Sequence, residues 1–395
     1  MKNIVIFSLE SINNAGEEIL SIATSYLLKD IKEINLKKAQ LCPNRNQMIK
    51  KYFPELLVSK FLFVLSNIIK MKKKKIYQLE NIGYIIRFQR CFNNILQSAD
   101  GVIYAIGMLK YSTQNFSYIF YLINKISVKL NLPVMMSAMS IEKPDNVDWR
   151  FNQLVKAVNM PCVKMITTRD GTEGVERLKS YYIKRSDIEI DFTGDPALWI
   201  PECYNIARKD SDIIGINLIR KGIYKDYGTD FSGEQLLCLY EEIITEMDKR
   251  NKKWCLFCNG IKNDYNVGLE LISRLRLSKE KLLPCPKNAE EFISIVSQFK
   301  AVFGARLHAC ITAFSLNIPV SGLLWDDKLE KFSKTMGIRE FFSATDELKG
   351  VHIVDKLEKA IQHSNDLTNQ QLYKLKTKES LQRFVKKWIN PICLS

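Results

Sequence analysis

Short apolar segments alternate along the chain with longer stretches in which apolar residues recur at helical spacing. This alternation is typical of βαβ units, in which parallel strands form an open sheet covered by helices. The first series predicts strands at residues 4–8, 101–106, 134–138, 162–168 and 188–193. The second series predicts strands at residues 213–219, 253–258, 281–284, 301–304 and 320–324. We therefore expect an α/β fold with two Rossmann-like open parallel sheets that face each other across a cleft.

The segment between the two series, residues 195–205, has two prolines and no hydrophobic periodicity. It predicts a domain boundary near residue 205, with an N-terminal domain at 1–205 and a C-terminal domain at 206–395. The length of 395 residues and the apolar composition of 46% are sufficient for two hydrophobic cores. Residues 369–388 have helical spacing, so we expect a C-terminal helix that packs on one of the two domains.

The formal net charge of +15 is concentrated at residues 42–97, which contain eleven basic and two acidic residues. An apolar segment at 53–69 precedes a lysine-rich run at 70–75, and it is too short and too charged to span a membrane. One interpretation is an amphipathic helix on an anionic membrane surface. The other is a helix packed on its own domain, with the lysines in solvent. Nucleic acid is not an expected partner, because aromatic residues do not interleave the basic run.

The N-terminal residues lack both the apolar run and the cleavage pattern of a signal peptide, which predicts a cytoplasmic protein. If residues 42–97 bind lipid, the protein would lie on the inner face of the plasma membrane. The ten cysteines have no paired spacing, as is typical of reduced core cysteines. Cys255 and Cys258 have the spacing of half a zinc site, but they lie in a predicted strand without a second pair, so we interpret them as core residues. No metal is expected.

The strongest group of candidate functional residues follows the predicted strand at 301–304. Arg306 and His308 enter the first turn of a helix there, where unpaired backbone N–H groups and the helix dipole favour an anion. The planar guanidinium of Arg306 matches phosphate or carboxylate. Lys328 follows the next parallel strand, so both cations are expected at the same sheet edge. A histidine at this position is suited to proton transfer near neutral pH.

Two further turns follow strands of the N-terminal half. Arg169 lies at the end of one strand, and Asp170 with Glu173 resembles a capping box for a helix at 172–179. Asn14 and Gly16 belong to a turn that follows the first strand and opens a helix, where backbone amides suit an anion. The glycine spacing of a dinucleotide or P-loop motif is missing from this turn.

The chain resembles the polysaccharide pyruvyl transferase family in several motifs. The most specific match is Gly-Ala-Arg-Leu-His-Ala at 304–309, followed by Ile-Pro-Val at 318–320 and by Lys328 within a Trp-Asp-Asp-Lys-Leu-Glu-Lys-Phe run. Supporting matches in the family's order are Asn-Ala-Gly-Glu at 14–17, Arg-Asp at 169–170, Gly-Asp-Pro at 194–196 and Gly-Ile-Asn at 215–217. The sequence departs from the family where Glu17 replaces an aspartate and where 106–107 is Ile-Gly instead of a glycine pair. The basic stretch at 42–97 has no counterpart.

The resemblance implies a GT-B-like transferase that moves the pyruvyl group of phosphoenolpyruvate to two hydroxyls of a sugar. The product is a pyruvate ketal in a surface polysaccharide, an exopolysaccharide or a capsule. The expected partners are phosphoenolpyruvate and a saccharide acceptor, for which a lipid-linked form is one option, and no cofactor is expected. His308, Arg306 and Glu17 would be catalytic, with His308 or Glu17 as the proton donor. The residues expected to bind substrate are Arg169, Arg306, Leu307, His308, Lys328, Asn14 and Gly16.

Two other functions fit the same residues. A GT-B-type glycosyltransferase would bind the diphosphate of a nucleotide sugar at the same helix start. A non-catalytic scaffold for polysaccharide assembly would attach to membrane through residues 53–75 and would not depend on Arg306.

Overall fold

The computed structural model describes residues 1–10, 14–41, 58, 76–112, 116–363 and 367–390. The chain forms two compact units. The first unit comprises Met1–Ser11, Leu27–Thr193 and Lys378–Ser395, and the second comprises Ile12–Tyr26 and Gly194–Thr377. The predicted amphipathic segment at 53–69 and the lysine run at 70–75 lie, apart from residue 58, outside the described residues.

The two units differ in their bounds from the domains expected from the sequence. The chain passes from the first unit to the second between Thr193 and Gly194 instead of near residue 205. The reason is that Ala197 and Leu198 are fully buried in the core of the second unit. Most of helix α1 (Ala15–Leu28) also belongs to the second unit, because Ala15 and Ile19 are buried in that same core. Periodicity along the chain does not reveal which core an apolar side chain joins.

The first unit contains one fully parallel sheet. Its strand order is β2-β1-β3-β5-β6-β7, with the short β4 beside β5. The strands are β1 (Lys2–Ser8), β2 (Ile34–Gln40), β3 (Gly101–Tyr104), β4 (Met108–Leu109), β5 (Val134–Ile141), β6 (Val163–Thr168) and β7 (Glu189–Phe192). The five predicted strands are present. The sequence prediction missed β2, since this edge strand is partly exposed and has no continuous apolar run.

Helices cover the first sheet and follow its strands. They are α2 (Ile76–Leu96), α3 (Phe116–Lys129), α4 (Trp149–Val158) and α5 (Gly171–Arg177), and a π-helical turn follows at Leu178–Tyr182. The Tyr104 side chain is buried beneath α3, where its hydroxyl donates a hydrogen bond to Asn124 Oδ1 at 2.8 Å. Asn124 Nδ2 donates in turn to the Ala157 carbonyl at 2.9 Å. A buried polar network therefore joins the sheet to two of its helices.

The second unit contains a five-stranded parallel sheet with the order β12-β11-β10-β8-β9. Its strands are β8 (Ile213–Asn217), β9 (Lys253–Phe257), β10 (Ala301–Gly304), β11 (Val320–Leu323) and β12 (Phe342–Ser343). Four of the five predicted strands are present. The predicted strand at 281–284 is wrong, because Lys279–Lys281 forms a 3-10 turn and only Leu282 pairs with the sheet, at Leu256.

The second unit is also rich in helices. They are α6 (Ile200–Tyr204), α7 (Ile223–Asp226), α8 (Gly233–Lys249), α9 (Lys262–Arg274), α10 (Ala289–Val296), α11 (Leu307–Ser315), α12 (Asp327–Thr335) and α13 (Gly350–Gln362). The C-terminal helix α14 (Thr368–Phe384) begins in this unit and ends in the first one. No helix within the described ranges is long and apolar enough to cross a membrane.

Candidate functional site

The turn between β10 and α11 carries the residues Arg306, Leu307 and His308. β10 is paired on both sides, with β8 and β11, so this turn leaves the carboxyl edge of the second sheet. Arg306 is extended and immediately precedes the helix, and His308 lies in the first helical turn with only 8% of its surface exposed. Gly304 lets Cys310 of α11 pack close to the end of β10, because a Cβ there would lie 2.3 Å from the Cys310 sulfur.

An asparagine at the end of β8 holds this turn in place. Asn217 Oδ1 accepts hydrogen bonds from the backbone N–H groups of Arg306 at 3.0 Å and Ala305 at 3.3 Å. Its Nδ2 donates to Asn259 Oδ1 at 2.9 Å. Asn217 is fully buried, so one amide side chain links the ends of β8, β9 and β10.

The guanidinium of Arg306 is paired with a carboxylate that the sequence reasoning did not identify. Arg306 Nε donates to Asp264 Oδ2 at 2.8 Å, and Nη2 donates to Oδ1 at 2.7 Å. The Asp264 side chain is fully buried, whereas 18% of the Arg306 side chain is exposed. Asp264 lies in the first turn of α9, after β9, at the same sheet edge. The sequence offered one signal for Asp264, which is its position after the predicted strand at 253–258.

A tryptophan that follows β11 packs beside Arg306. Trp325 Nε1 donates to the Ala305 carbonyl at 2.6 Å, and the guanidinium carbon of Arg306 lies 5.9 Å from the Trp325 ring centroid. Tyr227 meets the same ring edge-on at 5.0 Å, and burial raises the pKa of its hydroxyl. Arg306 is therefore held between a carboxylate and an aromatic ring.

Lys328 lies in the first turn of α12, whose N-cap is Asp326. Its Nζ is 3.7 Å from Asp326 Oδ2, and its backbone N–H donates to Asp326 Oδ1 at 3.2 Å. Because β10 and β11 are parallel neighbours, Arg306 and Lys328 follow the same edge of the sheet. This is the placement that the sequence predicted for the two cations.

The N-terminal turn belongs to the same unit as His308. The Ala15 N–H donates to the Asn259 carbonyl at 3.2 Å, and the Gly16 N–H donates to Asn14 Oδ1 at 3.1 Å. A Cβ built on Gly16 would lie 2.1 Å from His308 Nδ1. Glu17 is the next residue of α1, and only 2% of its surface is exposed. The structure thus places Gly16 against the His308 ring, with Asn14 and Glu17 close to Gly16 in the chain.

Arg169 lies in the first unit, directly after β6. Its Nη2 donates to the Gly107 carbonyl at 2.8 Å, and its backbone N–H donates to the Met139 carbonyl at 3.3 Å. The capping box predicted for Asp170 and Glu173 is wrong. The Asp170 carboxylate turns to β5 instead, where it accepts from the Ile141 N–H at 2.8 Å and from Ser140 Oγ at 3.2 Å.

The cysteines at the end of β9 are buried thiols. The sulfur atoms of Cys258 and Cys285 are 3.6 Å apart, and both thiols are reduced. Burial raises the pKa of the Cys255 thiol to about 12 and raises the pKa of Cys258 well above its ordinary value. Neutral buried thiols are poor nucleophiles and poor metal ligands. The described part of the chain has no cluster of three or more His, Cys, Asp or Glu side chains that could hold a metal ion.

A polar recess of about 220 Å³ opens beside the start of α9. It is lined by Arg220, Lys221, Asn263, Asn266, Val267 and Glu270. Its charges are paired, since Lys221 Nζ lies 2.7 Å from Glu270 and Arg220 pairs with Asp226. The backbone N–H of Arg220 donates to Asp264 Oδ1 at 2.8 Å, so the recess and Arg306 share one carboxylate.

Known proteins resemble the chain in sequence and in fold. A family model described as "Polysaccharide pyruvyl transferase" matches residues 14–327. No curated protein sequence matches significantly. Among solved structures, the UDP complex of MnaA from S. aureus is 12% identical, with a TM-score of 0.57 and coverage of 99% of this chain and 97% of that one. The UDP-GlcNAc 2-epimerase of Neisseria meningitidis bound to UDP-GlcNAc is 13% identical, with a TM-score of 0.59 and coverage of 98% and 100%.

Identities this low show the fold alone. The fold is mixed α/β with two parallel sheets, and its structural neighbours are GT-B-like, as the sequence predicted. The motifs singled out at 14–17, 169–170, 194–196, 215–217 and 304–309 all lie within the segment that the family model matches.

Proposed function

Since the chain belongs to the polysaccharide pyruvyl transferase family, we propose that it transfers the pyruvyl group of phosphoenolpyruvate to two hydroxyls of a saccharide. The observation that carries this proposal is the turn at 304–308. There Arg306 immediately precedes a helix and His308 lies in its first turn, at the carboxyl edge of a parallel sheet. Ligands of open α/β sheets bind at this edge. The donor carries a phosphate and a carboxylate, and both anions match cations and helix N-termini.

The chemistry divides into two additions. A proton donor delivers H⁺ to the methylene carbon of phosphoenolpyruvate, and the oxygen of a saccharide hydroxyl attacks C2 and loses its proton. The C2–O bond to phosphate then breaks, and a second hydroxyl attacks C2 and loses its proton. The products are a cyclic pyruvate ketal and inorganic phosphate. Preorganised cations stabilise the phosphate as negative charge collects on it.

His308 and Glu17 are the two candidate proton donors. His308 is largely buried and packs against the backbone of Gly16, and Glu17 follows Gly16 in the same helix. Arg306 and Lys328 would bind the anionic groups of the donor, together with the backbone at Asn14, Gly16 and Leu307. Arg169 of the first unit would be a further donor-binding residue, which the variant R169A tests by its affinity for phosphoenolpyruvate.

The decisive experiment compares surface polysaccharide from cells that have or lack this protein. Pyruvate released by mild acid should be present in the first sample and absent from the second. Complementation with R306A or H308A should restore less than about 1% of the pyruvate, while K334A should restore all of it. Lys334 is an exposed cation of α12 and serves as the matched control. Full restoration by R306A or by H308A would refute the proposed roles.

A nucleotide-sugar glycosyltransferase is the second candidate, because the similar folds include structures bound to UDP and to UDP-GlcNAc. The two candidates differ in the leaving group. Incubation of the purified protein with acceptor polysaccharide and either phosphoenolpyruvate or a UDP-sugar should release inorganic phosphate, not UDP. Release of UDP alone would favour the glycosyltransferase.

Attachment to an anionic membrane through residues 53–75 stays a prediction of the sequence, as does a cytoplasmic location. Cosedimentation with anionic vesicles tests the membrane attachment. Binding to the vesicles should be lost at high salt and on replacement of Lys72–Lys75 by serine. A scaffold without catalysis would retain its role in cells that carry R306A.

A further inference from the structure

Asp264 is a fully buried carboxylate that pairs with the arginine of the proposed donor site. It accepts two hydrogen bonds from the Arg306 guanidinium, at 2.7 and 2.8 Å, and one from the Arg220 backbone N–H, at 2.8 Å. Burial of a carboxylate is costly unless its charge is paired and its oxygens are hydrogen-bonded. Here both conditions are met by the same arginine that the proposed function uses.

The geometry of the pair determines which guanidinium protons remain for a substrate. A guanidinium has five N–H donors in a rigid plane. Nε–H and one proton of Nη2 are committed to Asp264, which leaves the second Nη2 proton and both Nη1 protons. These three point away from the carboxylate, within the same plane. Because the carboxylate is fixed on one edge of the guanidinium, it determines the direction in which the other edge can bind an anion.

Two other contacts restrict the same residue, one at its side chain and one at its backbone. The Trp325 ring lies 5.9 Å from the guanidinium carbon, and Asn217 holds the Arg306 backbone N–H. Asp264 is itself held in place by Arg220, so it does not simply follow the movements of Arg306. Each additional constraint reduces the entropy that Arg306 would lose when it binds a ligand.

We propose that Asp264 is a positioning residue, which orients Arg306 to bind the phosphate or carboxylate of phosphoenolpyruvate. The inference rests on the proposed function. A positioning role and a purely structural role of the Asp264–Arg306 pair predict different results. A structural pair would affect the amount of folded protein, whereas a positioning residue affects the affinity of the folded protein for its anionic donor, and only through Arg306.

The test is a double-mutant cycle on the dissociation constant of phosphoenolpyruvate, measured by calorimetry on the full-length protein. D264N keeps the shape of the side chain but removes its charge, and it should weaken binding about tenfold or more. In an R306A background, the same substitution should have no further effect, because its route to the donor is gone. D226N is the matched control: Asp226 pairs with Arg220 but is about half exposed, and binding should be unchanged.

Thermal unfolding of every variant shows whether it folds. If D264N is unfolded, D264E replaces it in the cycle, because it keeps the charge and displaces the carboxylate by one methylene. It should weaken donor binding in the wild-type background and not in R306A. Equal affinity of the folded Asp264 variant and the wild type, or equal losses with and without Arg306, would overturn the inference alone. Failure of the wild type to bind phosphoenolpyruvate would overturn the proposed function as well.

Discussion

The backbone of Gly16 lies against the imidazole of His308, so closely that a Cβ on Gly16 would lie 2.1 Å from Nδ1 and 2.4 Å from Cγ. Gly16 is the second residue of α1, and His308 is the second residue of α11. Only a glycine leaves room for the ring at this point. The start of one helix thereby determines where the candidate proton donor of another helix lies.

The substitution G16A should displace the imidazole of His308. By helix propensity alone, alanine would stabilise α1 by about 1 kcal/mol relative to glycine. Any loss of activity in G16A must therefore come from the contact with the His308 ring. We expect a loss of roughly 100-fold in pyruvyl transfer, since misplacement of a catalytic group by about 1 Å costs that much. The measurement is phosphate release with phosphoenolpyruvate and acceptor polysaccharide.

S21A in the same helix is the control for G16A. Ser21 Oγ is buried and forms no hydrogen bond with any of the described residues, so its removal should leave the transfer rate and the thermal midpoint near those of the wild type. Normal transfer by G16A would show that the position of His308 does not matter for the reaction.

Replacing Trp325 by phenylalanine should weaken the turn that carries Arg306. Trp325 Nε1 donates to the Ala305 carbonyl at 2.6 Å, and phenylalanine keeps an aromatic ring but has no donor. The loss of one buried hydrogen bond predicts a decrease of about 1–2 kcal/mol in the free energy of unfolding. Urea denaturation measures this difference. An unchanged midpoint with an unchanged slope would exclude a contribution from this hydrogen bond.

Glu18 ties the start of α1 to the start of α10. Its Oε2 accepts from the Ala289 N–H at 2.8 Å, and a carboxylate is favourable near the positive end of a helix dipole. E18A should lower the free energy of unfolding by about 1.5–3 kcal/mol, and E18Q by less, because it retains an acceptor oxygen. Denaturation curves of the two variants check the order. The reverse order, with E18Q the less stable, would contradict this account.

Y104F tests the buried network of the first unit. Without the tyrosine hydroxyl, Asn124 Oδ1 loses its donor in a buried environment, which costs about 1–3 kcal/mol. Thermal unfolding should show the decrease. Y181F removes the hydroxyl of a half-exposed tyrosine and should leave the unfolding temperature unchanged. A similar decrease in both variants would indicate that the Tyr104 hydroxyl has no special role.

Acid should selectively remove the stabilisation that Glu358 provides. Hydrogen bonding to Lys252, together with Arg250, lowers the pKa of Glu358 below its ordinary value of 4.5. A lowered pKa in the folded state stabilises the protein above pH 4.5 and ceases to do so as the pH falls through the folded value. The wild type should therefore unfold at a higher temperature than E358Q at pH 7.

The difference between wild type and E358Q should shrink as the pH falls below the ordinary value of 4.5 and through the lowered pKa of folded Glu358. E176Q, which changes an exposed glutamate of α5, is the comparison variant. A gap between wild type and E358Q that stays constant over this range would contradict the lowered pKa.

Much of the site could be predicted from local sequence. The apolar run at 301–304 predicts a strand, Gly304 predicts the tight turn, and Arg306 and His308 follow where a helix begins. The structure has these elements in these places. The prediction succeeds because strand, turn and helix start are each determined within a few residues. Asp264 was missed, since its role depends on a guanidinium 42 positions later.

The capping box at Asp170 failed for a related reason. The local pattern is that of a cap, but the carboxylate accepts its hydrogen bonds from the neighbouring strand β5 instead. Propensity describes the options of a segment in isolation, and a nearby backbone N–H can change which option is adopted.

The sequence alone determined the α/β class, the two series of parallel strands, the family and the motif that carries Arg306 and His308, because these depend on periodicity and on short runs of residues. Only the tertiary structure decided that α1 joins the core of the second unit, that Gly16 meets His308 and that Asp264 pairs with Arg306. Each of these contacts joins segments far apart in the chain. Such contacts depend on how the strands and helices pack, and hydrophobic patterning does not specify which buried side chains become neighbours.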